Sequence, residues 1–279
     1  MDYLEKIPEE VSLLIQSFID DFKESNPDFF GSNIVIREDI FSILEKTALV
    51  VFFPLSGEEN DGFHVKRTVK GEIKDFVYIN TAKAVEKQVF TAAHELGHRL
   101  GIEDYIAKKY PSFDIKKYKE NVVNRFAALL LLPEEEFLKV VTVKVKEIQK
   151  CKSDSEDGFV LTLTEAFKLI AFLMDYFFVP FKTVVYRLSE ANIISVETRN
   201  QILKNFKQSL LDECIVDGKY LKLNKPNNKK SINGYSELLD KAEQQKLFPI
   251  NKINKIREQF EIPDINNSKN INLTLSIKE

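Results

Sequence analysis

The stretch His94-Glu95-Leu96-Gly97-His98 constrains this chain more than any other, because it lies inside a run, Ala82 to Leu100, that reads as one helix closed by Gly101. Side chains four apart on a helix share a face at about 5–6 Å. Two imidazoles so placed can reach a single metal ion at about 2.0–2.1 Å. Glu95 follows the first histidine and is turned about 100° around the helix. It is therefore placed to take a proton from water at the metal rather than to bind the ion. Phe90, Ala93 and Leu96 make the other side of this helix apolar, so the helix packs while it presents the histidines. With only three histidines in the chain, such a pattern arises by chance in on the order of one in a few hundred sequences of this composition. The expectation is a zinc site with His94 and His98 as ligands and Glu95 as general base.

A catalytic zinc needs a third protein ligand and an open position. The one remaining histidine, His64, lies upstream in a strand or turn and reads as structural, although beside a cleft it could assist an oxyanion. A carboxylate is the expected third ligand, and two compete. Asp104 completes HExxHxxGxxD across Gly101, a spacing of the metzincin class. That class also needs a methionine turn, and Met174 sits in the apolar run Ala171-Phe172-Leu173-Met174, where a tight turn does not fit. The other candidate is Glu120, projecting from a second helix packed across the first.

Around this core the pattern alternates between helix and strand. An amphipathic helix is expected over about Ile7–Phe22, a second over Glu38–Lys46, and then a strand over Ala48–Phe53 closed by Pro54 and Gly57. Gly62–Lys70 and Glu72–Ile79 read as a strand pair turning near Gly71. Glu103–Lys119 reads as a polar stretch, followed by helices over Asn121–Leu132 and Glu134–Ile148 and a linker over Cys151–Gly158. Leu163–Phe178 and Phe181–Ala191, joined by Val179-Pro180, have the cadence of a helix-turn-helix. Helices are expected again over Tyr235–Lys246 and Ile253–Phe260.

A formal net charge of −3 gives no argument for a nucleic-acid or membrane partner. The second helix of the candidate helix-turn-helix offers only Lys182 and Arg187, so direct nucleic-acid binding is not expected. The lysine- and asparagine-rich segment after Lys219 is the one candidate basic surface and reads as a solvated face. Cys151 and Cys214 lie far apart, without the spacing of a metal or redox pair, which fits a reducing compartment. No basic leader opens the sequence and no apolar run reaches the ~18 residues of a membrane span, so the expected location is the cytoplasm.

Glu120-Asn121-Val122-Val123-Asn124-Arg125-Phe126-Ala127-Ala128, followed by Leu130-Leu131-Leu132-Pro133 and preceded by Phe90-Thr91-Ala92-Ala93-His94-Glu95-Leu96-Gly97-His98, closely resembles the ImmA/IrrE family of bacterial metallopeptidases. Val77-Tyr78-Ile79-Asn80 fits as well, while Val123 stands where the family usually has alanine. The resemblance implies an α+β, zincin-like peptidase domain with a small β-sheet, followed by a mostly helical C-terminal portion with a helix-turn-helix-like unit. It makes Glu120 the third zinc ligand beside His94 and His98, and Asn124, one turn on, could orient a ligand. It also implies a cytoplasmic enzyme cleaving a specific protein, commonly a helix-turn-helix repressor of a mobile element or stress regulon. The alternative is a regulatory protein that keeps the fold and binds a repressor, DNA or a toxin–antitoxin partner without cleaving. Residues 1–150 are expected to form the peptidase domain, 151–218 the helix-turn-helix-like unit, and 219–279 a polar spacer with C-terminal helices. Substrate backbone is expected to pair with the strand at Phe76–Ile79. The oligomeric state has no signature in the sequence.

Overall fold

A computed structural model describes residues 7–30, 34–57, 60–69, 71–149 and 161–262. The linker expected over Cys151–Gly158 lies outside the described residues. Helix α1 (Glu9–Ser25) buries Val11, Ile15 and Ile19, one residue per turn. After a short 3-10 turn at Pro27–Phe29 come α2 (Asp39–Glu45), β1 (Leu49–Phe53), β2 (Gly62–Val69) and β3 (Glu72–Asn80). β2 and β3 form an antiparallel pair turning at Gly71, whose φ of 85° suits glycine. β1 pairs in parallel with the other edge of β3, and the two-residue β4 (Ser231–Ile232) adds antiparallel to β1. The order is β2-β3-β1-β4, so β3 is bonded on both sides from Phe76 to Ile79. That corrects the expected substrate pairing: both hydrogen-bonding edges of that segment are taken, and the open edge belongs to β2.

One sheet face, with Val50, Phe52, Val77 and Ile79 all buried, carries the core side chains. Gly62 lies on the same face against α3 (Val85–Leu100); a Cβ there would stand 2.6 Å from Thr91 Cγ2 and 2.7 Å from the Tyr78 carbonyl oxygen. Only glycine lets strand and helix approach this closely. Gly101 closes α3 at φ 74°, its N–H reaching the carbonyls of Gly97 and His98.

The expected polar stretch Glu103–Lys119 is instead mostly helical, as α4 (Ile102–Lys109) and the first turn of α5 (Ile115–Leu131). Ile102 and Ile106, four apart and fully buried, hold α4 down despite its charged surface. Tyr118 breaks α5 near its start with φ −112° and ψ 17°, just before Glu120. From Val122 to Leu131 α5 is buried, and at Gly97 it packs closely on α3.

The remaining helices are α6 (Glu134–Gln149), α7 (Leu163–Phe177), α8 (Phe181–Glu190), α9 (Val196–Lys204), α10 (Gln208–Asp217), α11 (Tyr235–Gln244) and α12 (Ile250–Gln259). Thr162 and Glu165 form a reciprocal capping box at the start of α7. α7 and α8 meet at a bend of 103°, with Phe178 left-handed between them. In α8 every side chain from Thr183 to Leu188 is buried, and Arg187 is paired with Glu134 and Glu190 rather than presented to solvent. One hydrophobic core runs from Val11 through the sheet, α3 and α5 into α7, α8 and α10, ending at Leu223; α11 and α12 share a smaller cluster of Leu239, Ala242 and Ile253.

The segment after Lys219 does more than present a solvated face. The Val85 N–H donates to the Lys225 carbonyl, Asn228 N–H to Thr81, and the Thr81 hydroxyl to Lys229, so the chain is bound along the start of α3. The Asn233 side chain accepts from Val50 N–H and donates to the carbonyls of Glu45 and Ala48, anchoring β4 at the sheet edge. No single helix among the described residues is long and apolar enough to cross a membrane.

Candidate metal centre

α3 and α5 build the centre together. Helical spacing puts His94 and His98 on one face of α3, with their Nε2 atoms 3.1 Å apart. From across the gap Glu120 brings Oε2 to 3.3 Å from His94 Nε2 and 3.7 Å from His98 Nε2. Among the described residues these three form the one group of histidines, cysteines and carboxylates close enough to hold a metal ion. Donors at 2.0–2.2 Å from a tetrahedral zinc are about 3.3–3.6 Å apart. The observed triangle of 3.1, 3.3 and 3.7 Å brackets that range, so the donor set fits such an ion in both size and chemistry.

The outer nitrogens of both rings are held. His94 Nδ1 donates to Asn124 Oδ1 at 3.0 Å, and His98 Nδ1 donates to Glu103 Oε1 at 2.8 Å. Each bond fixes the tautomer that leaves the Nε2 lone pair free for a metal. Glu103 was not singled out from the sequence; it is nearly buried and is also 3.3 Å from Lys119 Nζ, which ties α4 to the residue before Glu120. Asp104, the rival third ligand, lines the same cavity but does not join the group of three. Met174 is buried within α7, so it makes no turn beneath the histidines.

The charges follow from this packing. The close approach of His94, with His98 and Lys119 nearby, holds the Glu120 carboxyl down at about 2 despite partial burial. Burial alone would lower His98, but the Glu103 hydrogen bond and the charges of Glu103, Glu95 and Glu120 raise it on balance. Burial pushes Glu95 above the ordinary carboxylate range, against the pull of the two histidines, and the nearby charge of Glu120 adds to the rise. A buried carboxyl raised in this way, next to two imidazoles, is placed to accept and return a proton.

The group opens onto a cavity of about 840 Å³ between α3, α4, α5 and β2. His64 lies on its β2 wall and Glu95, His94, His98 and Glu120 on the helical side.

No curated protein sequence matches the chain. The family model described as the IrrE N-terminal-like domain, Peptidase M78, matches residues 45–189, just over half of the chain and the part containing β1–β3, the HExxH helix and Glu120. With an α+β fold of four strands and a helical C-terminal portion around a site that can hold a metal, the chain belongs to the Peptidase M78 family of IrrE N-terminal-like metallopeptidases.

Proposed function

We propose that this chain is a zinc-dependent endopeptidase of the cytoplasm that cleaves one specific protein, a helix-turn-helix transcriptional repressor of a mobile element or stress regulon. The observation that carries the chemistry is the triangle His94, His98 and Glu120, whose edges match a tetrahedral zinc site, beside a buried glutamate raised by burial. His94, His98 and Glu120 hold the ion, while Asn124 and Glu103 orient the two rings. Zinc, when bound, supplies a Lewis acid that polarises the scissile carbonyl and makes water more acidic. Glu95 takes the proton from the attacking water and delivers it to the departing amine; acid–base help of this kind contributes roughly 10²–10⁴-fold.

An extended substrate segment adds along the outer edge of β2, where Gly62, Phe63, His64 and Lys66 border the cavity. The repressor as substrate rests on the resemblance of the sequence to the ImmA/IrrE family. The buried α8, with Arg187 engaged by two carboxylates, favours a protein partner over direct contact with DNA.

The test is co-expression with the small helix-turn-helix protein encoded beside this gene, if one is present, with intact protein mass read out. The expected result is a single cleavage product that disappears with Glu95→Gln, and about one equivalent of zinc in the purified enzyme by elemental analysis. A Glu95→Gln variant that keeps full cellular function would favour the non-proteolytic alternative, and protein lacking metal would refute the zinc assignment.

A further inference from the structure

The β2 wall of the same cavity holds a second polar group, outside the three candidate metal ligands. His64 Nε2 lies 2.6 Å from Asp75 Oδ1, and the other Asp75 oxygen, Oδ2, lies 3.0 Å from Arg99 Nε. Arg99 follows His98 on α3 and also donates through Nε to the Thr47 carbonyl at 2.9 Å. The chain of contacts therefore ties a β2 side chain to the metal-binding helix one residue from a ligand. His64 and Asp75 are nearly buried, at 10% and 12% side-chain exposure, yet His64 borders the cavity shared by Glu95 and the three candidate ligands. The alternation of β2 puts His64 on the same sheet face as Gly62, which touches α3 at Thr91.

Two features set this apart from an ordinary structural ion pair. Arg99 already balances the charge of Asp75, so the pair leaves no net negative charge on this wall to repel an anion. With Nε2–H donated to Asp75, Nδ1 is the ring atom left to meet a ligand, and in the imidazolium form it donates. Fixed donors aimed at developing negative charge cost no rearrangement when that charge appears.

We propose that His64, oriented by Asp75 and Arg99, donates a hydrogen bond to a tetrahedral oxyanion bound in the cavity beside the metal ligands, and in turnover to the oxyanion formed from the scissile carbonyl. The role in turnover rests on the peptidase reading; the capture of an oxyanion does not. The probe is inorganic phosphate, titrated calorimetrically into the full-length, zinc-loaded protein. Lys66, Lys116 and Lys119 also line the cavity, so the comparison is made between variants that keep them. His64→Ala is expected to weaken phosphate at least tenfold while zinc content and thermal midpoint stay those of the wild type. Should His64→Ala fail to fold, His64→Gln, which retains an amide for Asp75, decides, with at least a fivefold loss expected. Wild-type protein that does not bind phosphate, or variants within twofold of it, would overturn the proposal. For cleavage of the repressor, kcat of His64→Ala should fall about 10²-fold or more with KM little changed. Phosphate capture through His64 in a protein that cleaves nothing would count against the peptidase reading and in favour of this one, whereas a fall in kcat with unchanged phosphate affinity would refute it.

Discussion

Gly97→Ala sets two opposing effects against each other at the closest contact between the two ligand-bearing helices. In an exposed helix, alanine would stabilise the protein over glycine by about 1 kcal/mol. Here the new Cβ would stand 2.9 Å from Phe126 Cδ1 and 3.1 Å from Val123 Cγ1, both on α5 and both fully buried. The Phe126 ring is held on its other side by Phe18, with ring centres 6.1 Å apart, so it cannot simply swing away. Overpacking of this kind costs about 1–3 kcal/mol. The net expectation is a loss near 1 kcal/mol, or roughly 2–4 °C in the melting temperature of the metal-free protein. The larger effect falls on the metal. Val123 lies three residues after Glu120 and so on the same helical face, and metal sites tolerate only about ±0.2 Å in donor distance. An outward shift of α5 therefore opens the 3.3 and 3.7 Å edges from Glu120 and should weaken zinc at least tenfold, about 1.4 kcal/mol. Thermal unfolding with and without saturating zinc separates the effects, because the gap between the two midpoints reports metal affinity. A variant that melts higher without metal and shows an unchanged gap would refute the packing argument.

Glu120→Ala should lower zinc affinity by more than the roughly 10–100-fold typical of losing an outer partner, measured by competition with a chelator, whereas Asp104→Ala should change it by a few-fold at most; the reverse ranking would restore the Asp104 assignment. Glu95→Gln should reduce hydrolysis by about 10²–10⁴-fold yet raise the melting temperature of the metal-free protein at neutral pH. Because burial raises Glu95 in the folded state, the folded chain binds more protons than the unfolded one above the ordinary carboxylate pKa, so ionised Glu95 opposes folding there and glutamine removes the cost; no gain in melting temperature at pH 7 would contradict that sign. Glu190→Ala strips Arg125, itself buried in α5, of its carboxylate partner on α8, and should cost about 3–5 kcal/mol in urea unfolding. A change below about 1 kcal/mol would show that water reaches Arg125 as readily as Glu190 does.

Elements with an unbroken period were legible. The one-per-turn spacing of Val11, Ile15 and Ile19, the β2–β3 hairpin and the glycine-closed α3 lie where pattern and turn chemistry put them. Two kinds of element were not. α4 carries four charged residues around two isoleucines, and α9 and α10 bury only two or three side chains each, so their amphipathic signal is weak. The two residues of β4 have no period to read, and Asn233 anchors them by satisfying the Val50 N–H on β1 and the carbonyls of Glu45, at the end of α2, and Ala48, just before β1. Contacts at such sequence separation leave no local trace.

The site divides along the same line. His94, Glu95 and His98 were legible because one helical turn of spacing is enough to bring two rings to one ion, while Glu120 came from resemblance, since its approach depends on how α5 packs over Gly97. Spacing alone pointed to Asp104, against which the missing methionine turn counted, and the fold shows why it does not join the histidines. Gly101 reverses the chain and α4 begins at once, with Ile102 and Ile106 committed to the core. Counting 100° per residue from Ile102, Glu103 falls on the flank of that buried face and Asp104 about 200° away from it. Glu103 is thereby carried back onto His98 Nδ1 at 2.8 Å and becomes the carboxylate that orients a ligand, while Asp104 is left on the cavity wall. The choice between two adjacent acids is made by two buried isoleucines, and exchanging the apolar register of α4 would be the way to bring Asp104 round.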